Sequence, residues 1–163
     1  MRLLCDRMLA GLARWLRAAG HDTALARSDE SDAEILARCR AEERVLITRS
    51  RRLAQGFGAG VACCVLEDDD VEAQALALAQ RLGLDWMADP LTRCVVDNAP
   101  LRPASEAERA RAPDTARALP GPFNACPACG RLYWPGSHVR RMTARLQRWA
   151  TAARGAASDS PGN

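Results

Sequence analysis

In the first half of this chain, short apolar runs alternate with stretches whose apolar residues recur at helical spacing, and this alternation limits the folds that the chain can adopt. The apolar runs predict strands over Arg2–Cys5, Asp22–Ala26, Arg44–Thr48 and Val61–Leu66. The other stretches predict helices over Met8–Ala19, Asp32–Glu42, Arg51–Gln55 and Val71–Leu82, with a turn over Gly56–Gly60. Strands that alternate with helices form a mostly parallel sheet with helices on both faces, so the sequence predicts an α/β fold.

The character of the chain changes in its second half. Leu91–Phe123 is rich in proline, arginine and alanine and has little periodicity, whereas Arg140–Ala153 has the apolar spacing of a helix. We predict a first domain over residues 1–88, a small second domain with a terminal helix over 89–153, and a disordered tail over 154–163.

Composition narrows the class of protein. The 163 residues suffice for a compact domain and a small metal-held module. Net charge is only +3, but all 23 basic residues are arginine, whose planar guanidinium suits phosphate. No signal peptide opens the sequence, no apolar run is long enough to cross a membrane, and the seven cysteines lack the spacing of a secreted framework. We therefore predict a cytoplasmic protein, in which cysteine pairs favour metal over disulfide.

Polar residues follow the predicted strands. Asp6 comes directly after the first strand, and Ser50 and Asp68–Asp70 follow the two later ones, while Asp29 and Asp32 precede and open the second helix. Ligands of parallel sheets bind beyond the carboxyl ends of the strands, so these carboxylates could converge on one rim around Mg²⁺ or Mn²⁺. The alternatives are structural: Asp32 also suits a helix N-terminus, and Asp68–Asp70 suits a solvated turn.

Longer motifs resemble a known family, the PIN-like RNase domain at the C-terminus of mut-seven exonucleases, which also occurs as stand-alone bacterial proteins. The resemblance covers roughly Arg2 to Trp149. Its main motifs are Cys5–Arg17 with Gly20–Thr23, Leu46–Arg49, Thr92–Cys94, Cys126–Gly130 and Tyr133–His138, with single matches at Asp29, Asp32 and Gln74.

The resemblance implies a PIN-like three-layer α/β sandwich followed by a small zinc ribbon, and cleavage of RNA by metal-assisted hydrolysis. Asp6 matches the first acidic position of the family and Asp32 the acid that opens the second helix, with Asp29 as a neighbour. The family's Thr-Arg-Asp is here Thr48-Arg49-Ser50, which lacks one carboxylate. An active endoribonuclease is therefore the first hypothesis. A catalytically degenerate RNA-binding module is the second, and a zinc-stapled adaptor for another protein is the third.

The spacing Cys126-Pro127-Ala128-Cys129-Gly130 is typical of a zinc knuckle, although a lone CxxC pair can also be redox-active. Cys94 would be a third ligand. The family's other pair is here Cys94-Val95-Val96-Asp97, so Asp97 is one candidate for the fourth ligand and His138 is the rival. The alternative for His138 is packing beside Trp134. Cys5, Cys39, Cys63 and Cys64 are expected to be buried small hydrophobic residues.

Arginines suggest where RNA would bind. We expect Arg7, Arg14, Arg17 and Arg49 around the acidic rim, where they would hold the RNA backbone. The last predicted helix has a basic face, whose alternative is a solvated surface. Tyr133 and Trp134 could stack on bases, although core packing is the competing interpretation for Trp134.

Overall fold

The computed structural model describes residues 1–55 and 62–158, so the predicted turn at Gly56–Gly60 and the first residue of the fourth predicted strand lie outside the described residues. The strands are β1 (Arg2–Cys5), β2 (Asp22–Leu25), β3 (Val45–Thr48), β4 (Cys63–Val65), β5 (Arg102–Pro103), β6 (Asn124–Ala125) and β7 (Leu132–Tyr133). The helices are α1 (Ala10–Ala18), α2 (Asp32–Ala41), α3 (Arg51–Gln55), α4 (Val71–Leu82), α5 (Glu106–Arg109), α6 (Asp114–Arg117) and α7 (Ser137–Ser158), and a 3-10 turn over Arg7–Leu9 precedes α1.

The first four strands form one parallel sheet in the order β2-β1-β3-β4. In the central strand, Leu4 lies opposite Ala24 of β2 and Leu46 of β3. Parallel neighbours need crossover connections, and helices provide them here. The predicted α/β fold with a parallel sheet is confirmed.

The core lies on both faces of this sheet. Side chains alternate along a strand, so Leu3 packs with α1, α4 and α7 on one face, while Leu4 packs with α2 and α3 on the other. The predicted burial of Cys5, Cys39 and Cys64 is confirmed, and Cys63 is partly buried. This three-layer arrangement leaves the carboxyl ends of β1 and β3 at a common rim, where Asp6 follows one strand and Thr48 ends the other.

The second half contains a small antiparallel sheet, β5-β6-β7, which we call the ribbon. The long helix α7 begins after the ribbon and packs against the helical layer that covers the first sheet. There Trp149 packs against Trp15 and Trp86, with ring centroids 5.1 and 4.7 Å away. Its indole N–H and the Arg145 guanidinium both donate to the Glu72 carboxylate on α4. The terminal helix therefore completes the core of the first domain.

Helix α7 continues to Ser158, so the part of the predicted disordered tail up to that residue is helical and needs correction. Alanine and arginine, both strong helix formers, dominate its last turns and extend a helix already anchored by packing. Residues 159–163 are not described. None of the described helices combines the length and the apolar character that a transmembrane helix needs.

Gly20 ends α1 where two backbone segments meet closely. Its φ is +95°, and a Cβ there would lie 2.2 Å from the Asp89 carbonyl oxygen. We expect Gly20→Ala to lower the free energy of unfolding by about 2–4 kcal/mol, because a strained φ and a steric overlap combine. Chemical denaturation measures this. The matched control is Gly11→Ala on α1, where a Cβ meets no atom within 4 Å, so no loss is expected. An equal loss in both variants would contradict this account.

Candidate functional site

Asp6 is held at the carboxyl rim of the sheet by two neighbouring strands. Its backbone N–H donates to the Ile47 carbonyl oxygen at 2.9 Å, which continues the pairing of β1 with β3. The Thr48 hydroxyl donates to Asp6 Oδ2 at 2.8 Å, and Asp6 is only 7% exposed. Asp6 Oδ1 receives no hydrogen bond from the described residues. The carboxylate is thus fixed through one oxygen, and the other is available to a ligand.

Ser50 caps the helix that follows β3. Its backbone N–H donates to Thr48 Oγ1 at 2.9 Å, and its own Oγ accepts from the Leu53 N–H at 3.1 Å. Aspartate and serine are both good N-cap residues, so serine fills the structural role of the expected aspartate. It does so without a negative charge, and its oxygen is engaged by the helix.

Asp32 lies in the first turn of α2, as expected from the capping box. Ser31 Oγ accepts from the Glu34 N–H, and Glu34 Oε2 accepts from the Ser31 N–H at 2.7 Å. The Asp32 carboxylate, one third exposed, pairs with Arg52 of α3 at 2.8 Å. Because α3 begins at Arg51, directly after the capping Ser50, this ion pair joins the start of α2 to the same end of the sheet that carries Asp6.

The other acids do not join this group. Asp29 is 83% exposed, and its ion-pair partner is Arg27, 3.7 Å away. Asp69 pairs with Arg49, and Asp70 caps α4 through the Ala73 N–H at 2.9 Å. Within residues 1–55 and 62–158, three metal-ligating side chains come within reach of one ion only at the cysteine cluster described below. Three carboxylates therefore do not converge among the described residues, and Asp6 follows β1 while Asp32 opens α2 at the same end of the sheet.

The four arginines expected around the rim have different roles. Arg7 is exposed beside Asp6 and donates to the Ser28 carbonyl at 2.6 Å. Arg49 pairs with Asp69, and its Nε is buried without a partner among the described residues. Arg14 is exposed farther along α1 and lines a groove beside His138. The expectation for Arg17 needs correction: it is buried near the opposite end of α1, where backbone carbonyls accept its hydrogen bonds.

A second candidate site, the cysteine cluster, consists of Cys94, Asp97, Cys126 and Cys129, whose ligand atoms all lie within 4.8 Å of one another. Cys94 and Cys129 Sγ are 3.9 Å apart, and Asp97 Oδ2 lies 3.5 Å from Cys94 Sγ and 3.4 Å from Cys126 Sγ. Tetrahedral zinc with ordinary bond lengths requires about 3.8 Å between thiolates and about 3.5 Å between thiolate and carboxylate oxygen. The cluster could therefore hold a structural zinc ion. His138 is exposed on α7 outside the cluster, so of the two candidates Asp97 is the fourth member.

Tyr133 supports the cluster from the last ribbon strand. Its hydroxyl donates to Cys94 Sγ at 3.2 Å and accepts from the Val95 N–H at 3.1 Å. Burial opposes ionisation of Cys94, but hydrogen bonds from Tyr133 and from nearby backbone N–H groups together lower the pKa of its thiol. A thiolate is the form that binds zinc. This role of Tyr133 is separate from the base stacking that the sequence suggested.

The loop that carries Cys94 and Asp97 is fastened to β2, the edge strand. Asn98 adopts a left-handed backbone with φ +65°, and its side chain accepts from the Thr23 N–H at 2.9 Å and donates to Asp22 at 2.6 Å. Arg17 donates to the carbonyls of Val95 and Val96. Asn98 and Arg17 thus join the cysteine cluster to the first domain. Sequence reasoning did not name Asn98 and gave Arg17 a different role, and the position of Asn98 directly after a candidate ligand was the available signal.

Asp22 stabilises this junction and should make it sensitive to acid. Although burial acts against it, hydrogen bonds from Arg44 and Asn98 lower the pKa of Asp22 from 3.8 to about 2. Its contribution is complete above about pH 4 and is lost as pH falls toward 2. We expect Asp22→Asn to cost roughly 2 kcal/mol of unfolding free energy at pH 6. The difference from the unmodified protein should shrink as pH falls below 4. A difference that stays constant between pH 6 and pH 3 would contradict this assignment.

The molecule thus combines a parallel α/β sheet that carries a fixed carboxylate at its rim with a cysteine-rich ribbon. The family model described as the Mut7-C RNAse domain matches residues 1–146, which include both parts and the start of α7. The chain belongs to this family, as its motifs suggested. Membership indicates a ribonuclease-type function, with RNA as the substrate. Searches of curated proteins and of solved structures gave no significant match.

Proposed function

We propose that this protein is a PIN-like, metal-dependent endoribonuclease that hydrolyses RNA at the rim, with Asp6 and Asp32 as ligands of Mg²⁺ or Mn²⁺. The observation that carries the proposal is Asp6, a buried acid fixed by Thr48 with its second oxygen open. Magnesium is commonly held by one or two carboxylates, with water and substrate phosphate completing its shell, so a third acid is not essential. The ion would act as a Lewis acid and lower the pKa of a bound water.

The residues of the chain would bind and orient the substrate. Thr48 holds the Asp6 carboxylate in one orientation. Asp32 forms an ion pair with Arg52, whose side chain is 82% exposed. When an ion binds Asp32 instead, the Arg52 guanidinium would be able to contact an RNA phosphate. Arg7 lies next to Asp6 in the chain and adds positive charge at the same rim.

Metal dependence tests this proposal directly. Zinc-loaded protein, dialysed into metal-free buffer, should not cleave 5′-labelled single-stranded RNA until Mn²⁺ or Mg²⁺ is added. A zinc assay before and after dialysis should show that the thiolate-held ion stays in place. Equal cleavage with and without added divalent ion would overturn the mechanism.

A second candidate function, RNA binding without cleavage, is favoured by one specific observation: the serine at position 50 supplies a cap but no charge. If the missing carboxylate weakens ion binding, Ser50→Asp should keep the cap and raise the cleavage rate at limiting Mn²⁺ by about tenfold. Ser50→Asn is the matched control, because it also caps but adds no charge. An equal gain in both variants, or no gain in either, would contradict this prediction. An unmodified protein that binds RNA but cleaves it in no metal would establish the second function.

A further inference from the structure

Three adjoining cavities lie on one side of the molecule, where α1 faces the ribbon and the first turns of α7. Their volumes are about 290, 390 and 260 Å³, and all three are lined by His138. We call this surface the arginine groove. It is lined by Arg14, Arg131, Trp134, His138, Arg141 and Arg148, among others.

Most of the charge of the groove is uncompensated: of the five arginines that line it, only Arg145 pairs with a carboxylate of the described residues, that of Glu72. No aspartate or glutamate lines any of the three cavities. Within the described part of the chain, Arg14, Arg131, Arg141 and Arg148 form no ion pair, whereas Arg38, Arg44 and Arg102 each pair with a carboxylate. Four exposed guanidinium groups along a concave surface attract a polyanion, and phosphate suits their planar donor geometry.

The groove also offers aromatic surface. Trp134 is half-buried and stacks on Phe123 with one face, at a centroid distance of 6.2 Å. Tyr133 lies beside it in the first cavity, and Trp15 lines the other two. Small cavities in series, with aromatic rings between positive charges, match the way proteins bind successive unstacked bases of a single strand.

The groove leads toward the rim. Gly11 lines one of its cavities and lies in the first turn of α1, directly after the short turn that follows Asp6. We propose that the arginine groove binds single-stranded RNA and carries the strand that leads to the cleaved phosphate. This inference rests on the proposed function for the location of that phosphate. An acidic protein segment would share the charge but not the backbone phosphates, and the family assignment favours RNA.

RNA binding without turnover tests the groove. Zinc-loaded protein carrying Asp6→Asn, without added divalent ion, is titrated into a fluorescent twelve-nucleotide single-stranded RNA at several salt concentrations. Arg14→Gln with Arg141→Gln should weaken binding at least tenfold. It should also reduce the slope of log affinity against log salt by about 1.4, since two phosphate contacts are lost. Arg40→Gln with Arg154→Gln is the matched control, which removes two exposed arginines outside the groove and should change affinity less than twofold.

Any of these binding results would overturn the inference: no RNA binding, equal loss in the two double variants, or a polyglutamate of equal charge binding as tightly as RNA. The last result would indicate a protein partner.

Photocrosslinking with 4-thiouridine RNA should label the peptide that contains Tyr133 and His138, and labelling confined to α2 would also contradict the groove. Binding in the groove by a protein that cleaves RNA in no metal would refute the nuclease proposal alone. If the protein cleaves RNA but the groove variants do not change its affinity for RNA, only the groove proposal is refuted.

Discussion

Asp6→Asn should reduce the rate of RNA cleavage in saturating Mn²⁺ by at least two orders of magnitude, equivalent to about 3 kcal/mol of transition-state stabilisation. Asparagine keeps the size of the side chain and can still accept from the Thr48 hydroxyl, so the fold should be preserved. What it removes is the charge of a carboxylate whose free oxygen faces the proposed ion. A gel assay with labelled single-stranded RNA gives the rate, and circular dichroism verifies the fold.

Asp29→Asn is the matched control for this experiment. The sequence placed Asp29 beside Asp32, but the structure leaves it exposed and paired with Arg27. We expect its cleavage rate to stay within about threefold of the unmodified protein. A loss as large as that of Asp6→Asn would mean that Asp29 reaches the site. Full activity of Asp6→Asn would exclude the proposed role of the rim carboxylate.

Cys126→Ala should bring the zinc content close to zero and destabilise the protein by at least about 3 kcal/mol, because structural zinc binding is coupled to folding. The loss of stability should extend to the first domain, because Asn98 and Arg17 connect the metal-binding loop to it by hydrogen bonds. Elemental analysis and chemical denaturation measure the two effects. The β5-β6-β7 sheet has only two residues in each strand, so it has little stability of its own.

Two further variants decide the fourth ligand. His138→Ala should leave the zinc content unchanged, whereas Asp97→Ala should lower the affinity for zinc. Asp97→Cys should create a four-thiolate site that resists chelators better than the unmodified protein. Zinc loss in His138→Ala with none in Asp97→Ala would contradict the observed cluster.

The strands and helices of the first domain could be predicted because their signals are local. Alternating apolar runs and the capping box at Ser31 each depend on residues near one another in sequence. The cysteine cluster was also within reach, since CxxC spacing reflects the geometry of one turn. The pattern of polar residues after strands already indicated Asp6 and left Asp32 open to a structural interpretation, and the family resemblance supported both.

What the sequence could not reveal depends on long-range contacts. Arg17 looked like one of four equivalent surface arginines, but the loop around Val95 covers it, 78 residues later in the chain. Asn98 and Thr23 likewise meet only because the ribbon folds back on an edge strand. The arginine groove required the position of α7 relative to α1, which no local pattern specifies.

The proposed function requires Asp6 and Asp32 to hold one divalent cation jointly, and Mn²⁺ binding measures this without reference to activity. Electron paramagnetic resonance of free Mn²⁺, titrated with zinc-loaded protein, should give one site per chain. Both Asp6→Asn and Asp32→Asn should weaken that site at least tenfold, with Asp114→Asn, an exposed acid on α6, as the unchanged control. Binding that is equally strong in all four proteins would show that the rim carboxylates hold no ion.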